Sequence, residues 1–432
     1  MNSANANLAD EGAVADLLAD DVVLCIVGLG QSWMQGGNRD RADPLATPTA
    51  EHPGYALQLD ASPRPRPDYT ARLIDLHEWA GGDRQRERPL SGCADAVERA
   101  LMDKVGRRIP LLMITAARGG STLAGGLIPD DGLLPGAMVY DWMLAQVGQA
   151  ARLLEGQGKR LAVVSIIAAH GETDAQLGTS GEAFAHGWRR VRREAGAAIG
   201  HLTGQRRPVL LHAYQTAGLD RRSPQTDGCS TAKVAWAQLA LADADPLCRC
   251  VGPVYWATAG PGDFAHVTNR SLRRVGLQFG RYVFDDVFGE GRRPLRVEGL
   301  AWADARRLRV SYEREIVVER DDARVNVSDL GPGGGYGLEY RDAPAPPRVT
   351  ALTVSAGDPR VLELTLDRPL PPGGGRLLVA AHPTGPGVGR DTGGRTAVRS
   401  RAPLERDPQD AFELYDWACV EALDLPPSPG PA

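Results

Sequence analysis

A serine that follows a buried-strand pattern is the first residue of the chain whose setting suits covalent chemistry. Residues 22–28 form a continuous apolar run, and Gly30, Gln31 and Ser32 come soon after it. Because glycine allows a sharp turn, the Ser32 hydroxyl can project from the end of the strand as a nucleophile. Serine after a strand also commonly caps the next helix, so Ser32 alone fits either role.

A glycine turn follows a second apolar run. Gly119, Gly120 and Ser121 come after residues 110–117. Glycine lets the main chain approach a reacting group closely, so a backbone N–H of this turn can point to the same place as the Ser32 hydroxyl. The alternative is an ordinary turn between a strand and a helix.

A histidine and two carboxylates follow a third apolar run. Residues 160–169 are followed directly by His170, Glu172 and Asp174. An ordinary solvated loop at this place would not need a histidine and two carboxylates. Metal binding is the rival explanation for this cluster, but no second histidine follows at a helical spacing. The residues therefore favour a metal-free site, and we expect no metal and no other cofactor.

An aspartate and a histidine lie three residues apart late in the same pattern. Asp263 and His266 precede a helical stretch. A carboxylate can hold one imidazole nitrogen and leave the other free as a general base. Nucleophilic acyl transfer needs a hydroxyl, a base, a group that orients the base, and donors for the developing oxyanion. A lone histidine would fit a helix entry, whereas His266 with Asp263 favours a catalytic pair.

The elements that must position these residues follow from the apolar runs. Continuous rather than alternating apolar runs are typical of parallel strands buried on both faces. Such strands end at one edge of the sheet, so the segments that follow them converge there. We predict an α/β three-layer sandwich with a mostly parallel, flavodoxin-like sheet. Its predicted strands are 22–28, 110–117, 160–169 and 208–216, and its predicted helices are 90–106, 136–155, 179–202, 229–245 and 268–286.

The pattern changes after the last predicted helix. Helical periodicity disappears, and short β-like runs separated by proline and glycine clusters predict a β-rich, sandwich-like part. The aromatic residues near the C-terminus would expose a large apolar patch unless they packed back on the body. The predicted units are an N-terminal extension (1–20), an α/β domain (21–290), a β-rich accessory domain (291–405) and a C-terminal segment that packs back (406–432).

Composition and charge exclude several classes of protein. Hydrophobic residues make up 43% and charged residues 24% of the chain, as in ordinary globular proteins, and the net charge of −5 offers no cationic field for nucleic acid. The acidic N-terminus lacks the features of a secretory signal, and no apolar run approaches the ~20 residues of a membrane span. We expect a soluble protein, cytoplasmic or otherwise, with neither a nucleic-acid nor a membrane partner.

The four chemical segments, in this order, resemble the conserved blocks of the SGNH (GDSL) hydrolases, especially the sialate O-acetylesterase and carbohydrate esterase family six branch. The first block, GQSNM in that branch, is similar to Gly30-Gln31-Ser32-Trp33-Met34. The others resemble Gly119-Gly120-Ser121, His170-Gly171-Glu172-Thr173-Asp174 and Asp263-Phe264-Ala265-His266. The resemblance covers roughly residues 20–288.

The resemblance implies a role for each matching residue. Ser32 would be the nucleophile, His266 the general base and Asp263 the group that orients it, with the N–H groups of Ser32 and Gly120 in the oxyanion hole. The branch places a glutamate near the base, so Glu172 is a second candidate to orient His266. The structural alternative for Glu172 is a buried carboxylate that ties its loop to a neighbouring loop.

Two residues depart from the pattern of that branch. Trp33 replaces the asparagine that follows the serine, and His170 replaces the glutamine before Gly-Glu. We expect Gln31 and Trp33 to contact the substrate, and His170 to support the oxyanion hole as a hydrogen-bond donor whose state depends on tautomer and pH.

Together the residues and the resemblance predict a carboxylic ester hydrolase. Its expected substrate is a small-molecule or glycan ester, most simply an O-acetyl group on a carbohydrate. Two alternatives stay open at this point. One is a lipase or thioesterase of the same fold, and the other is a non-catalytic carbohydrate-binding or virion-associated module.

Overall fold

The computed structural model describes most of the 432-residue chain. The first ten residues and the starts of the helices predicted at 136–155 and 229–245 lie outside the described residues. The described ranges are 11–38, 40, 42–60, 71–81, 84–128, 138–216, 232–263, 265–330, 332–341, 346–370, 375–381 and 389–428.

Helices and strands alternate through the first two thirds of the chain, and strands dominate the rest. The α-helices in the described ranges are α1 Glu11–Leu17, α2 Ser32–Gln35, α3 Pro89–Val105, α4 Met138–Glu155, α5 Glu172–Leu177, α6 Gly181–Thr203, α7 Ala232–Ala244 and α8 Asn269–Phe288. The strands of the first part are β1 Val22–Gly30, β2 Ala56–Leu59, β3 Leu73–Asp75, β4 Trp79–Gly81, β5 Arg84–Arg86, β6 Leu111–Ala117, β7 Arg160–Ala169, β8 Leu210–Gln215 and β9 Cys248–Pro253.

A seven-stranded sheet in the order β3-β2-β6-β1-β7-β8-β9 forms the centre of the first part. Its strands are parallel except β3, which pairs antiparallel with β2 at one edge. Gly30 at the end of β1 is level with Ala117 on one neighbour and Ala169 on the other. The chains that leave β1, β6 and β7 therefore start side by side, as the sequence predicts.

Helices cover both faces of this sheet. Along β1, Leu24 and Ile26 belong to one apolar core with α3 and α8, whereas Cys25 and Val27 belong to a second core with α4 and α6. Alternation along a strand directs successive side chains to opposite faces, so β1 is buried on both. The predicted three-layer α/β sandwich is confirmed.

Three glycines bring α3 and α8 into backbone contact. A Cβ on Gly92 would overlap the carbonyl oxygen of Arg273, and one on Gly276 would overlap that of Pro89. A Cβ on Gly280 would likewise overlap a carbonyl of α3. Glycine inside a helix ordinarily costs about 1 kcal/mol relative to alanine. Here it allows the close approach that fixes α8, the helix that follows His266.

Strands continue through the rest of the chain. They are β10 Val297–Asp304, β11 Arg307–Tyr312, β12 Ile316–Val318, β13 Leu338–Arg341, β14 Val349–Val354, β15 Val361–Leu366, β16 Arg376–Val379, β17 Val398–Arg406, β18 Glu413–Trp417 and β19 Glu421–Asp424. These strands form three small antiparallel sheets, in the orders β10-β11-β15-β14, β12-β17-β18 and β13-β16-β19. Strands β18 and β19 belong to the segment predicted from residue 406 onward, and they pair with β17 and β16, respectively.

The turn between β18 and β19 contacts the α/β part directly. The Gln215 side chain donates to the Val420 carbonyl at 3.0 Å and accepts from the Val420 N–H at 2.9 Å. The Tyr255 hydroxyl donates to the Ala418 carbonyl at 2.8 Å. All of these groups are buried, so the C-terminal residues satisfy polar atoms at the end of β8 and after β9 that water does not reach.

A buried arginine joins the two parts a second time. Arg273 on α8 is fully buried, and its guanidinium contacts Glu51 at 2.6 Å, Asp95 at 2.8 Å and Asp407 at 3.3 Å. A buried guanidinium requires such partners because removing it from water without them is costly.

Within the described ranges, every helix is too short or too polar to cross a lipid bilayer.

Candidate active site

Ser32 lies at the start of a short helix immediately beyond β1. The turn is tight: a Cβ on Gly30 would overlap the Ala169 carbonyl oxygen, to which the Gln31 N–H donates at 3.2 Å. Gln31 is the N-cap residue of α2, and Ser32 is the first residue inside the helix. Ser32 is therefore not the cap of this helix, which removes the simplest structural reason for a serine here.

Asp263 holds the His266 ring through one nitrogen. The His266 Nδ1 lies 2.8 Å from the Asp263 Oδ2. The other carboxylate oxygen accepts the backbone N–H groups of Ala265 at 3.0 Å and His266 at 3.3 Å. With Nδ1 engaged, Nε2 is the nitrogen available for proton transfer.

The helix after His266 begins with a side-chain cap. The Thr268 hydroxyl accepts the Ser271 N–H at 3.2 Å, which satisfies one of the free donors at the start of α8. The Thr268 N–H in turn donates to the Thr258 carbonyl at 2.9 Å. The loop that carries the base is thus fixed at its C-terminal end by a capped helix.

A glycine that the sequence analysis missed lies between the nucleophile helix and the base. A Cβ on Gly37 would lie 2.6 Å from the His266 Cδ2 and 2.8 Å from the Ser32 carbonyl oxygen. Any side chain here would push the imidazole away from α2. The consecutive glycines Gly36 and Gly37, so soon after Ser32, were the available signal.

The glycine turn after β6 packs against Ser32. The Gly119 N–H donates to the Gln35 side-chain oxygen at 2.7 Å, and a Cβ on Gly119 would lie 3.6 Å from the Ser32 Cβ. Gly120 has a φ of 73°, a conformation that favours glycine. Among the described residues, nothing accepts the backbone N–H of Ser32 or of Gly120. These two donors are therefore available to an oxyanion.

Glu172 is buried and fully engaged away from the base. Its carboxylate accepts the Tyr214 hydroxyl at 2.8 Å, the Thr216 hydroxyl at 3.0 Å and the Gln31 side-chain amide at 2.9 Å. Burial raises the pKa of the Glu172 carboxyl above its ordinary value. The structure thus brings Asp263, and not Glu172, into contact with the His266 ring, and Glu172 ties its loop to β8.

Trp33 lies behind the site rather than in it. Its side chain is fully buried, its Nε1 donates to the Ala265 carbonyl at 2.8 Å, and its ring packs 5.6 Å from that of Tyr214. This placement contradicts the expectation that Trp33 contacts the substrate. The indole points into the core and joins the nucleophile helix to the loop that carries the base.

His170 also points away from the reacting groups. Its Nε2 lies 2.9 Å from the Asp174 Oδ2, and the ring packs against Phe184 and Trp188. His170 is buried and does not line the cavity beside Ser32. This placement does not fit the expected role of His170 in the oxyanion hole, because its Nε2 contacts Asp174 and the ring lies outside the cavity lining.

In the described residues, no group of three or more histidines, cysteines and carboxylates could hold a metal.

One cavity of about 380 Å³ brings most of the predicted residues together. This volume lies within the range typical of small-molecule sites. The predicted residues that line it are Gln31, Ser32, Gly120, Glu172 and His266. The other lining residues, which the sequence analysis did not single out for this site, are Gln35, Gly36, Gly37, Arg86, Gly119, Thr173, Gln176 and Ala265.

The comparison with solved structures bears on the fold. No protein-family model matches the sequence, and no curated protein matches it significantly. A carbohydrate acetylesterase from Xanthomonas citri superposes with a TM-score of 0.54 at 14% identity, over 93% of this chain and 80% of the other. This chain has the fold of the SGNH-type esterases.

Two smaller esterases are also similar to part of this chain. Est24, a carbohydrate acetylesterase from Sinorhizobium meliloti, has a TM-score of 0.32 at 13% identity, over 59% of this chain and 96% of its own. An aryl esterase from M. smegmatis has a TM-score of 0.34 at 12% identity, over 60% of this chain and 98% of its own.

The SGNH-fold core contains a second serine, histidine and aspartate set. The Ser165 hydroxyl lies 2.8 Å from the His212 Nδ1, and the His212 Nε2 lies 2.9 Å from the Asp286 Oδ2. All three side chains are buried inside the sheet and its helix layer, where no substrate can reach. This set is a satisfied polar contact within the core.

Proposed function

We propose that this protein is a serine esterase that forms an acyl-enzyme on Ser32. The observation that carries the proposal is that Ser32, Gly120 and His266 line one cavity, with the His266 Nδ1 bonded to Asp263 at 2.8 Å. This arrangement supplies a hydroxyl, a base with its orienting carboxylate, and two free N–H donors, which are the components of acyl transfer.

The first half-reaction transfers the acyl group to the enzyme. The His266 Nε2 accepts the Ser32 hydroxyl proton as the oxygen attacks the ester carbonyl carbon. The carbonyl oxygen becomes an oxyanion, which accepts the N–H groups of Ser32 and Gly120. The intermediate then collapses, the bond to the alcohol oxygen breaks, and His266 returns the proton to that oxygen. Asp263 stabilises the imidazolium throughout.

The second half-reaction releases the acid. A water molecule attacks the carbonyl carbon of the acyl-enzyme and gives one proton to the His266 Nε2. The same two N–H groups stabilise the second oxyanion. The bond to the Ser32 oxygen breaks, and this oxygen recovers its proton from His266. The products are the free alcohol and the carboxylic acid, and the enzyme returns to its initial state.

The proposed substrate is an O-acetyl ester of a carbohydrate. The SGNH-fold neighbour that superposes over most of the chain is named as a carbohydrate acetylesterase. The cavity is lined by the amide and hydroxyl side chains of Gln31, Gln35, Thr173 and Gln176. Such a polar lining suits an alcohol with several hydroxyl groups, as in a sugar, better than a fatty chain. The small volume and the polar lining support a short acyl group over a long one.

A fluorophosphonate probe tests the nucleophile. The wild-type protein should be labelled, whereas Ser32→Ala should not. Ser165→Ala is the matched control, because it removes the serine of the buried set and should leave labelling intact in any sample that is folded by circular dichroism. An unreactive wild type, or labelling that survives in Ser32→Ala, would refute the proposal.

A series of esters tests the acyl preference separately. With 4-nitrophenyl esters of increasing chain length, kcat/KM should be highest for acetate and should fall with each added pair of methylene groups. Release of acetate from acetylated sugars then tests the alcohol side. A preference for long acyl chains would instead identify a lipase or thioesterase.

A further inference from the structure

Gln35 is the last residue of α2, three residues after Ser32, and it lines the same cavity. Residues three apart lie on one face of a helix, so the Gln35 side chain leaves α2 on the side of the nucleophile. Its amide oxygen accepts the Gly119 N–H at 2.7 Å. A Cβ on Gly119 would lie 3.2 Å from this oxygen and 3.6 Å from the Ser32 Cβ. The Gln35 amide therefore lies beside both the nucleophile and the glycine turn.

The contact with Gly119 fixes which way the Gln35 amide points. A backbone N–H can only donate, so the atom that faces it is the amide oxygen, and the NH2 group faces the other way. Among the described residues, this NH2 group has no hydrogen-bond acceptor. Gln35 is only partly buried. Its Nε2 is thus a donor on the cavity wall that is held in place by the oxygen of the same amide.

The glycine turn after β6 is held by contacts of its own. At its start, the Arg118 N–H donates to the Gly30 carbonyl at 3.2 Å. At its end, the Ser121 N–H donates to the Arg118 carbonyl at 3.3 Å, and the Ser121 hydroxyl donates to the same oxygen at 2.5 Å. The turn is therefore tied to the end of β1 and closed on itself. The further bond to Gln35 orients the glutamine more than it orients the turn.

The side-chain donor expected at the oxyanion hole was His170, and its place is open. The His170 ring lies outside the cavity lining and contacts Asp174. The amide of Gln31 cannot serve instead, because it is buried, donates to Glu172 and accepts the Thr173 N–H. The Gln35 amide, by contrast, adjoins the segments that carry both backbone donors, α2 and the glycine turn.

We infer that Gln35 is a third oxyanion donor, whose Nε2 joins the N–H groups of Ser32 and Gly120 at the carbonyl oxygen of the ester. The inference deepens the proposed function and rests on it. The carbonyl oxygen gains its full negative charge only after the Ser32 oxygen attacks. A donor at this oxygen therefore stabilises the transition state more than the bound ester, and its loss should lower kcat rather than raise KM.

A crystal structure of the phosphonylated protein tests the contact directly. After wild-type protein reacts with a small fluorophosphonate, the phosphonyl oxygen of the adduct on Ser32 stands for the oxyanion. We expect the Gln35 Nε2 within ~3.2 Å of that oxygen, together with the N–H groups of Ser32 and Gly120. A separation beyond ~4 Å, or a Gln35 amide whose NH2 group points elsewhere, would overturn the inference.

Two variants separate donation from support of the glycine turn. Gln35→Glu keeps an acceptor for the Gly119 N–H but has no NH2 group, and Gln35→Met keeps the length of the side chain but has neither. We expect kcat for 4-nitrophenyl acetate to fall about a hundredfold in Gln35→Met, with KM changed less than about threefold. In Gln35→Glu it should fall at least as far, because the negative charge also opposes the oxyanion.

Gln157→Glu and Gln157→Met are the matched controls. Gln157 is exposed in the turn after α4 and is not among the described residues that line the cavity. Both control variants should keep the wild-type kcat, so that a loss seen only at Gln35 belongs to that position. Folding of every variant is checked by circular dichroism.

The remaining outcomes separate this inference from the proposed function. Activity that survives in Gln35→Glu but not in Gln35→Met assigns Gln35 to support of the turn and overturns its role as a donor. Activity that survives in Gln35→Met, or that falls equally in the Gln157 variants, overturns it too. A wild type that neither reacts with the fluorophosphonate nor hydrolyses any ester refutes the proposed function itself.

Discussion

His266 can act as a base only when its proton is on the correct nitrogen, and Asp263 selects that form. The 2.8 Å contact with Nδ1 keeps a proton there and leaves Nε2 free to accept one from Ser32 in the proposed mechanism. Glu172 is too fully engaged with other donors to replace Asp263. At the scale of single residues, the choice between two candidate carboxylates therefore depends on hydrogen bonds.

Replacing Asp263 by asparagine should disable the base without removing it. An amide can donate to Nδ1, which would place the ring proton on Nε2, the nitrogen that must accept one. We expect kcat/KM for 4-nitrophenyl acetate to fall at least about a hundredfold. Glu172→Gln is the comparison, and it should lose less activity than Asp263→Asn. The reverse order would return Glu172 to the role of orienting group.

Trp33 should act as a positioning residue. Trp33→Phe keeps an aromatic ring in the core but removes the donor to the Ala265 carbonyl. A buried acceptor without a partner costs about 1–3 kcal/mol, and the loop of His266 can relieve that cost by moving. We expect kcat to fall about tenfold while KM changes less than about threefold, as for a misplaced base rather than a lost substrate contact. A rise in KM alone would instead support direct binding by Trp33.

Residue types predict the proposed reacting groups, but not the directions in which neighbouring side chains point. Glycine turns and an Asp-His spacing mark Ser32, Gly120 and His266 as candidates in the sequence. The orientation of Trp33 could not be found, since it depends on Ala265, a residue 232 positions away. His170 matched the pattern equally well, yet Asp174 and two aromatic rings direct it into the core.

Among the elements, α3 and α8 pack with their backbones in direct contact. Glycines on each helix let the backbones touch, so α8 cannot shift without losing this contact. The helix begins three residues after His266, and its position therefore sets where the base lies. The identity of small residues far from the cavity thus bears on the geometry of the site.

A methyl group on Gly276 should separate the two helices. Its Cβ would overlap the Pro89 carbonyl oxygen, which belongs to rigid backbone. We expect Gly276→Ala to lower the free energy of unfolding by about 2–4 kcal/mol, measured by chemical denaturation. Gly196→Ala in α6 is the control, because a Cβ there meets no atom within 4 Å, and it should raise stability by up to about 1 kcal/mol. Equal effects of the two substitutions would contradict this account.

The main strands could be predicted, and the edges of the sheet could not. Strands β1, β6, β7 and β8 are continuous apolar runs buried on both faces. Strand β9 contains an arginine, a glycine and a proline, and β2 and β3 are only four and three residues long. Short or polar strands gain their structure from pairing with neighbours rather than from their own pattern.

For the molecule as a whole, buried carboxyls link stability to pH. Burial, with a further contribution from Glu78, raises the pKa of Glu87 to about 8, and burial raises that of Glu98 to about 7. A group whose pKa is raised by folding stabilises the folded state below its unfolded pKa. That stabilisation is lost as the pH rises through the folded pKa.

The free energy of unfolding should therefore fall between about pH 5 and pH 8, by on the order of 1–3 kcal/mol. Urea denaturation at pH 5.5 and pH 8.5 measures the difference. Glu87→Gln carries no charge at either pH and should reduce the fall. A stability that is unchanged or higher at pH 8.5 would contradict the assignment of these carboxyls.

The return of the C-terminal residues to the α/β part has a consequence for biosynthesis. Arg273 and Gln215 emerge from the ribosome more than a hundred residues before Asp407 and Val420, the groups that complete their contacts. During that interval the Arg273 guanidinium lacks its contact with Asp407, and the Gln215 side-chain amide lacks its contacts with Val420. The nascent SGNH-fold part should therefore complete its native packing, and gain esterase activity, only after residues 407–420 have been translated.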